Sequence, residues 1–215
     1  MSLVLYGYWR SSASYRVRIA LNLKQLDYAY HPVHLVNDGG QQHSEAYSKL
    51  NPSHLVPTLI DEERDLALSQ SLAIIEYLDE AYSSGCDLMP KDAADKATVR
   101  SIAQDLACDI QPLANLRVLQ YLSSQSESFE QKQWCQHWIS KGFQALEQKL
   151  KHRAGKYCYG YQLSLADICL VPQVYNALRF ELDMTAFPTI NRIYQACNSL
   201  EAFIQAKPEN QPDAD

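Results

Sequence analysis

Apolar and polar positions follow one rhythm in the first 85 residues and another beyond them. Leu3-Val4-Leu5-Tyr6 is a short strand-like run. Ser11 to Leu26 follows as a helix, with Val17, Ile19, Ala20, Leu21 and Leu23 supplying its apolar side. Tyr28 to Val33 reads as a second strand, and Pro32, which lacks a ladder donor, marks it as an edge. A polar stretch with Gly39-Gly40 comes next. Thr58-Leu59-Ile60 and Leu66-Ala67-Leu68 flank the charged turn Asp61 to Asp65 and predict a hairpin. Ser69 to Tyr82 returns to a helical period through Leu72, Ile75 and Leu78. The order β-α-β-α-β-β-α predicts a small α/β domain that opens with a parallel crossover.

Ser83 to Pro90 breaks the pattern and reads as a linker between domains at 1–83 and 91–207. Beyond it no strand signal survives. Val99, Ile102, Ala103, Leu106, Ile110 and Leu113 keep a helical period across Asp92 to Leu122, with a bend expected at Pro112. Trp134, Trp138, Phe143, Leu146 and Leu150 mark a second long helix. Ser164-Leu165-Ala166-Asp167 opens a third with a capping box, a structural device with no catalytic role. The tail Lys207 to Asp215, with two prolines and little apolar content, is expected to be mobile. The fold class is therefore α/β followed by an all-α, helical-bundle domain.

Composition narrows the function classes. At 47% hydrophobic and 20% charged residues, the chain has enough apolar surface to fold. No apolar run is long enough for a membrane helix. The first residues lack a basic start followed by a long apolar stretch, so no secretory signal is expected. The formal net charge of −6 argues against a nucleic-acid partner, whose phosphates need cationic neutralisation. The six cysteines contain no C-x-x-C pair and the histidines no metal-binding spacing. Reduced cysteines, a cytoplasmic location and no metal site are expected.

Three short segments carry candidate chemistry. Ser11, Ser12 and Ser14 sit where a strand gives way to a helix, a place that caps free N–H groups and attracts anions. A thiol held there ionises more easily, because the helix end stabilises the thiolate. Val56-Pro57 opens a strand and is a candidate cis bond. Gln70-Ser71 places small polar groups at the next helix start, suited to a carboxylate.

In that order and spacing these segments resemble a cytosolic glutathione transferase. The zeta class, the maleylacetoacetate isomerases, is resembled more narrowly. The residues that carry this are Ser11 to Leu21, Asn51-Pro52 with Val56 to Leu59, Gln70 to Leu78, Gln111-Pro112-Leu113 with Asn115-Leu116, and Asp167 to Val174. The resemblance implies a thioredoxin-like domain followed by a helical one, a homodimer, and glutathione as cofactor. It implies that the glutathione thiolate adds to the cis double bond of a maleyl substrate, which rotates as a single bond before elimination leaves the trans isomer. Ser11 matches the family's hydroxyl donor to the sulfur, and Ser12 its helper. Gln70 and Ser71 match the γ-glutamyl binder, Val56 the backbone partner of the cysteinyl part, and Gln42 a position near the glycine end. Gln111 and Asn115 match positions reaching the same pocket from the helical domain. Arg179 matches a substrate-carboxylate binder; Arg10, Arg16 and Arg18 are further candidates, with Arg10 favoured over Arg18.

Departures are also visible. Ala13 stands where the family usually has Cys, so a protein thiol there is excluded. Tyr15 replaces a frequent Trp, and Arg117 follows Asn115-Leu116 where a smaller polar residue is usual, which favours a more anionic substrate. Maleylacetoacetate and maleylpyruvate remain alternative substrates, as do halogenated acids and other electrophiles in a transferase reaction. Tyr6 or Tyr8 as the thiol partner would signify a detoxifying transferase. A non-catalytic binding module would predict a ruined glutathione site.

Overall fold

The computed structural model describes residues 2–214, apart from the Asp38 side chain. The first half builds the elements β1 (Leu3–Gly7), α1 (Ser12–Leu23), β2 (Ala29–Pro32), α2 (Glu45–Leu50), β3 (Thr58–Asp61), β4 (Leu66–Ser69) and α3 (Ser71–Ala81). This is the order expected from the apolar pattern. The strands form one mixed sheet in the order β2-β1-β3-β4. β1 pairs in parallel with β2, and Pro32 lies on the edge strand, as its missing N–H demands. β3 runs antiparallel to both β1 and β4. The alternation in β1 buries Leu3, Leu5 and Gly7 on one face.

Helix α1 carries Val17, Ile19, Ala20 and Leu21, all fully buried. Each such aliphatic side chain contributes about 1.5–3 kcal/mol on leaving water. The sequence pattern ran this helix to Leu26, but it stops at Leu23. Gln25 takes a left-handed φ of 54°, and the Leu26 and Gln25 amides bond back to the Leu21 and Asn22 carbonyls. That is a Schellman stop built without glycine, so no residue type announced it. The linker is fastened to the same helix end. Lys24 and Asp79 form a buried ion pair at 3.2 Å, and Asp79 also accepts the Leu88 amide at 2.8 Å.

The second unit spans Met89–Ser199. It contains α4 (Ala93–Gln104), α5 (Leu116–Gln125), α6 (Gln131–Lys151), α7 (Leu165–Arg179) and α8 (Pro188–Asn198). The single bent helix expected over Asp92 to Leu122 is instead broken in two. After α4 the chain passes through a π segment at Asp105–Ile110 and a 3-10 turn at Gln111–Ala114. Asn115 then caps α5 by accepting the Arg117 amide. Pro112 removes a donor, and the Asn115 cap restarts the ladder, so the pair ends one helix and begins another. Helix α7 is the unit's core, buried from Leu165 to Val174. Its capping box is formed: Asp167 accepts the Ser164 amide at 3.0 Å.

The final helix α9 (Glu201–Ala206) and the rest of the tail cluster with the first unit, which comprises 1–88 and 200–215. The sequence pattern alone predicts a helical domain reaching 207 and a mobile tail beyond it. The tail is instead held, because Phe203 and Ala206 are buried against α1 and hydrogen bonds from the Arg18, Asn22 and Gln211 side chains hold its backbone carbonyls. Among the described residues no helix is long and apolar enough to cross a membrane.

Candidate active site

Strand register brings three loops to one end of the sheet. Tyr6 near the end of β1 pairs with Thr58 at the start of β3, and Thr58 pairs with Ser69 at the end of β4. The turn from Gly7 to Ser11, the Val56-Pro57 loop and the Gln70-Ser71 helix start are therefore neighbours by topology.

The first loop is a tight one. A Cβ on Gly7 would lie 3.1 Å from the Tyr30 ring and 3.2 Å from Ser14 Oγ, tighter than ordinary packing, so glycine suits the close approach of strand and helix. The Ser11 amide donates to the Tyr8 carbonyl at 3.0 Å. Ser11 is the N-cap of α1, its Oγ accepting the Ser14 amide at 3.2 Å. That bond fills an acceptor site and leaves the hydroxyl hydrogen to donate to an anion. Ser12 is the first residue of the helix, half-buried like Ser11. Neither tyrosine competes simply for the role. Tyr8 is buried edge-on to Trp9 and His34, and Tyr6 stacks on His31.

The Val56–Pro57 peptide is cis. Tyr47 and Asn51 grip the loop before it: both donate to the Leu55 carbonyl, at 2.6 and 2.9 Å, and both contact Thr58 Oγ1. Val56 itself makes no backbone hydrogen bond among the described residues, so its amide and carbonyl are available to a strand-like ligand.

At the third loop Gln70 is exposed with φ 72° and precedes α3. Ser71 is buried, and its Oγ accepts from Arg16 Nη1 at 2.7 Å. A buried guanidinium thus stands behind the Ser71 hydroxyl and adds positive charge to a helix N-terminus. The sequence held Arg16 as one of several candidates for a substrate carboxylate and did not connect it to Ser71. Helical periodicity placing an arginine among the buried residues of α1 was the available signal. Gln42 lies on a 3-10 turn and is buried; its Nε2 donates to the Leu35 carbonyl at 3.3 Å, while Oε1 has no partner among the described residues.

Of the other first-unit arginines, Arg10 is exposed, its guanidinium 5.3 Å from the Trp9 ring centre. Arg18 is fully buried and is occupied with the Tyr8, Trp9 and Ala206 carbonyls. The remaining expected residues belong to the second unit. Gln111 is half-buried at the start of the 3-10 turn, and Asn115 caps α5. Arg117 is exposed on the first turn of α5. Arg179, also exposed, ends α7 with Nε and Nη2 on Asn176 Oδ1 and its guanidinium 4.3 Å from the Phe180 ring.

Burial disfavours the thiolate of four of the six cysteines. Burial pushes Cys135 up to about 11, only partly opposed by Arg179. Burial likewise raises Cys86, Cys158 and Cys197. The six cysteines are all free. The N-terminus of α1, capped by Ser11, is a place where the thiolate of a ligand could be accommodated. The available Val56 backbone, the Arg16-backed Ser71 and the unpartnered Gln42 oxygen fit the peptide groups of glutathione.

Models of the glutathione S-transferase N-terminal and C-terminal domains match residues 5–85 and 114–209. The chain belongs to the glutathione S-transferase family. A probable maleylacetoacetate isomerase of Vibrio cholerae is 57% identical over 100% of this chain and 99% of its own length. The maleylacetoacetate isomerase of Rattus norvegicus is 48% identical over 98% of this chain and 94% of its own. A holo maleyl pyruvate isomerase described as a bacterial zeta-class transferase superposes with a TM-score of 0.93 at 42% identity, covering 99% of this chain and 100% of that one. A maleylacetoacetate isomerase of Anaeromyxobacter dehalogenans with glutathione in its active site superposes at 0.90, with 39% identity, over 100% and 98%. The four-stranded mixed sheet and the helical unit are the thioredoxin-like and all-α domains of this transferase fold.

Proposed function

We propose that the protein catalyses the glutathione-dependent cis–trans isomerisation of maleylacetoacetate to fumarylacetoacetate, in aromatic amino-acid breakdown. The observation that carries this is Ser11 at the N-cap of α1, its acceptor filled by the Ser14 amide and its hydroxyl hydrogen free to meet an anion. Glutathione, when bound, supplies a thiolate able to add reversibly to the maleyl double bond.

The chain's residues have separable tasks. Ser11 donates a hydrogen bond to the sulfur anion, and the N-terminal turn of α1, beginning at Ser12, adds its partial positive charge. Ser71, pressed from behind by Arg16, donates to the γ-glutamyl carboxylate beside the exposed Gln70. Val56 lends backbone groups to the cysteinyl part, and the Gln42 amide faces the glycine end. Gln111 and Asn115, by their resemblance to family positions, are the second unit's candidates for binding the ligand. Arg10, Arg117 and Arg179 bind the carboxylates of the substrate, and Arg117 adds to their pull on a dianion. Ala13 carries no sulfur, so the only reactive thiol of the proposal is the ligand's. Six free cysteines suit a cytoplasmic location. Homodimerisation is the family's habit, read out by light scattering.

Removing the Ser11 donor tests the assignment. Ser11→Ala lowers turnover about 10²–10³-fold, the usual cost of deleting one hydrogen-bond donor to a developing anion. A variant as active as the wild type moves the role to Ser12 or to a tyrosine.

A further inference from the structure

The tail that ends the chain is tied to the turn that leads into Ser11. Arg18, fully buried in α1, donates through Nη2 to the Trp9 carbonyl at 2.9 Å, through Nη1 to the Tyr8 carbonyl at 3.5 Å, and through Nε to the Ala206 carbonyl at 3.1 Å. From the far end of the tail, Asp213 Oδ2 accepts the Trp9 amide at 3.0 Å and the Tyr30 hydroxyl at 3.3 Å. The Trp9 residue is thus held at its amide by Asp213 and at its carbonyl by Arg18. The Tyr8 carbonyl that meets Arg18 also accepts the Ser11 amide. Drift of the 8–9 backbone carries Ser11 with it.

The tail is built to hold this position. Asn22 Nδ2 donates to the Ala202 carbonyl at 2.9 Å, and Phe203, Ala206 and Pro208 are buried. Gln211 Nε2 donates to the Gln205 and Lys207 carbonyls, and the Ala214 amide to the Gln211 carbonyl, so the backbone around Asp213 is itself fixed. Asp213 also supplies negative charge near the buried Arg18.

We propose that Asp213 is a positioning residue, and the segment 200–214 a strap, that sets the Ser11 hydroxyl against the sulfur of bound glutathione. The inference rests on the reading of Ser11 given above. The strap touches neither ligand nor substrate; it acts through the Tyr8–Trp9 backbone. Displacement of a reacting group by about 1 Å costs up to 10²-fold in rate, so a partial loss of restraint costs about tenfold.

The test uses the full-length protein with glutathione bound. It measures the pH midpoint of thiolate absorbance, turnover of maleylacetone, and Tm, for Ser11→Ala, Asp213→Ala and Asp213→Asn. In Asp213→Ala the thiolate midpoint rises and kcat falls about tenfold, with little change in KM for glutathione. Asp213→Asn recovers most of both, because its amide oxygen still accepts the Trp9 N–H. A shift in Ser11→Ala with wild-type midpoints and kcat in both Asp213 variants overturns the strap alone. No shift in Ser11→Ala overturns the reading of Ser11 and the strap with it. A fall in Tm for the Asp213 variants, unaccompanied by a change in midpoint or kcat, also overturns it, since a merely structural contact behaves that way.

Discussion

Asp61 ends β3 with a carboxylate that is 1% exposed. Burial alone would raise its pKa. Hydrogen bonds from the Tyr77 and Tyr82 hydroxyls and from Arg64 at 3.0 Å together outweigh burial and hold it below the ordinary 3.8. A carboxylate favoured by the fold contributes stability above pH 3.8, and that contribution is lost as pH falls through the depressed folded value. Asp61→Asn therefore destabilises the protein at neutral pH by about 1.5–3 kcal/mol, and its Tm falls less steeply than the wild type's below pH about 4. Parallel Tm-against-pH curves for the two proteins would contradict this. The charged run Asp61 to Asp65 was legible only as a turn. Its clamp to the end of α3 is not, because Tyr77 and Tyr82 lie 16 and 21 residues away. Among the proposed site residues, Ser11, Val56, Gln70 and Ser71 were legible as motifs. Arg16 was legible only as one cation among several, since its partner Ser71 is 55 residues distant.

Helix ends explain most of the differences between pattern and structure at the next scale. Apolar periodicity located α1 and a capping box the start of α7, but both helices stop at left-handed non-glycine residues, Gln25 at φ 54° and Glu181 at φ 56°. Such stops are set by tertiary packing and leave no compositional mark. Helix α8 shows the converse, a start made from outside. Its N-cap residue Phe187 offers no capping side chain. Glu147 of α6 supplies the carboxylate, accepting the Thr189 and Ile190 amides at 2.9 and 3.0 Å. An anion bonded to two orphan N–H groups at a helix N-terminus contributes about 2 kcal/mol. Glu147→Ala is expected to lower stability by that amount and Tm with it, whereas Glu147→Gln retains one acceptor and loses less. Equal Tm values for the wild type and Glu147→Ala would remove the capping role. Isomerase activity, measured below the melting range, should survive in both variants, because α8 holds none of the proposed site residues.

For the whole molecule, the net charge of −6 is a poor guide to what the site accepts. Acidic residues gather in the Asp61–Asp65 turn and the C-terminal tail, while Arg10, Arg16, Arg117 and Arg179 lie on the segments proposed to meet glutathione and substrate. Local field governs that encounter. The change from strand-and-helix to helix-only pattern was legible near residue 85, because period-2 and period-3.6 runs are local. The return of residues 200–215 to the first unit was not, because it depends on α9 packing on α1 across the length of the chain. The proposed isomerase needs glutathione and uses no thiol of its own. Following maleylacetone by ultraviolet absorbance with and without glutathione tests it most directly. Cis-to-trans conversion that requires glutathione and returns it unconsumed is the result predicted; no conversion in its presence, or equal conversion in its absence, would contradict it.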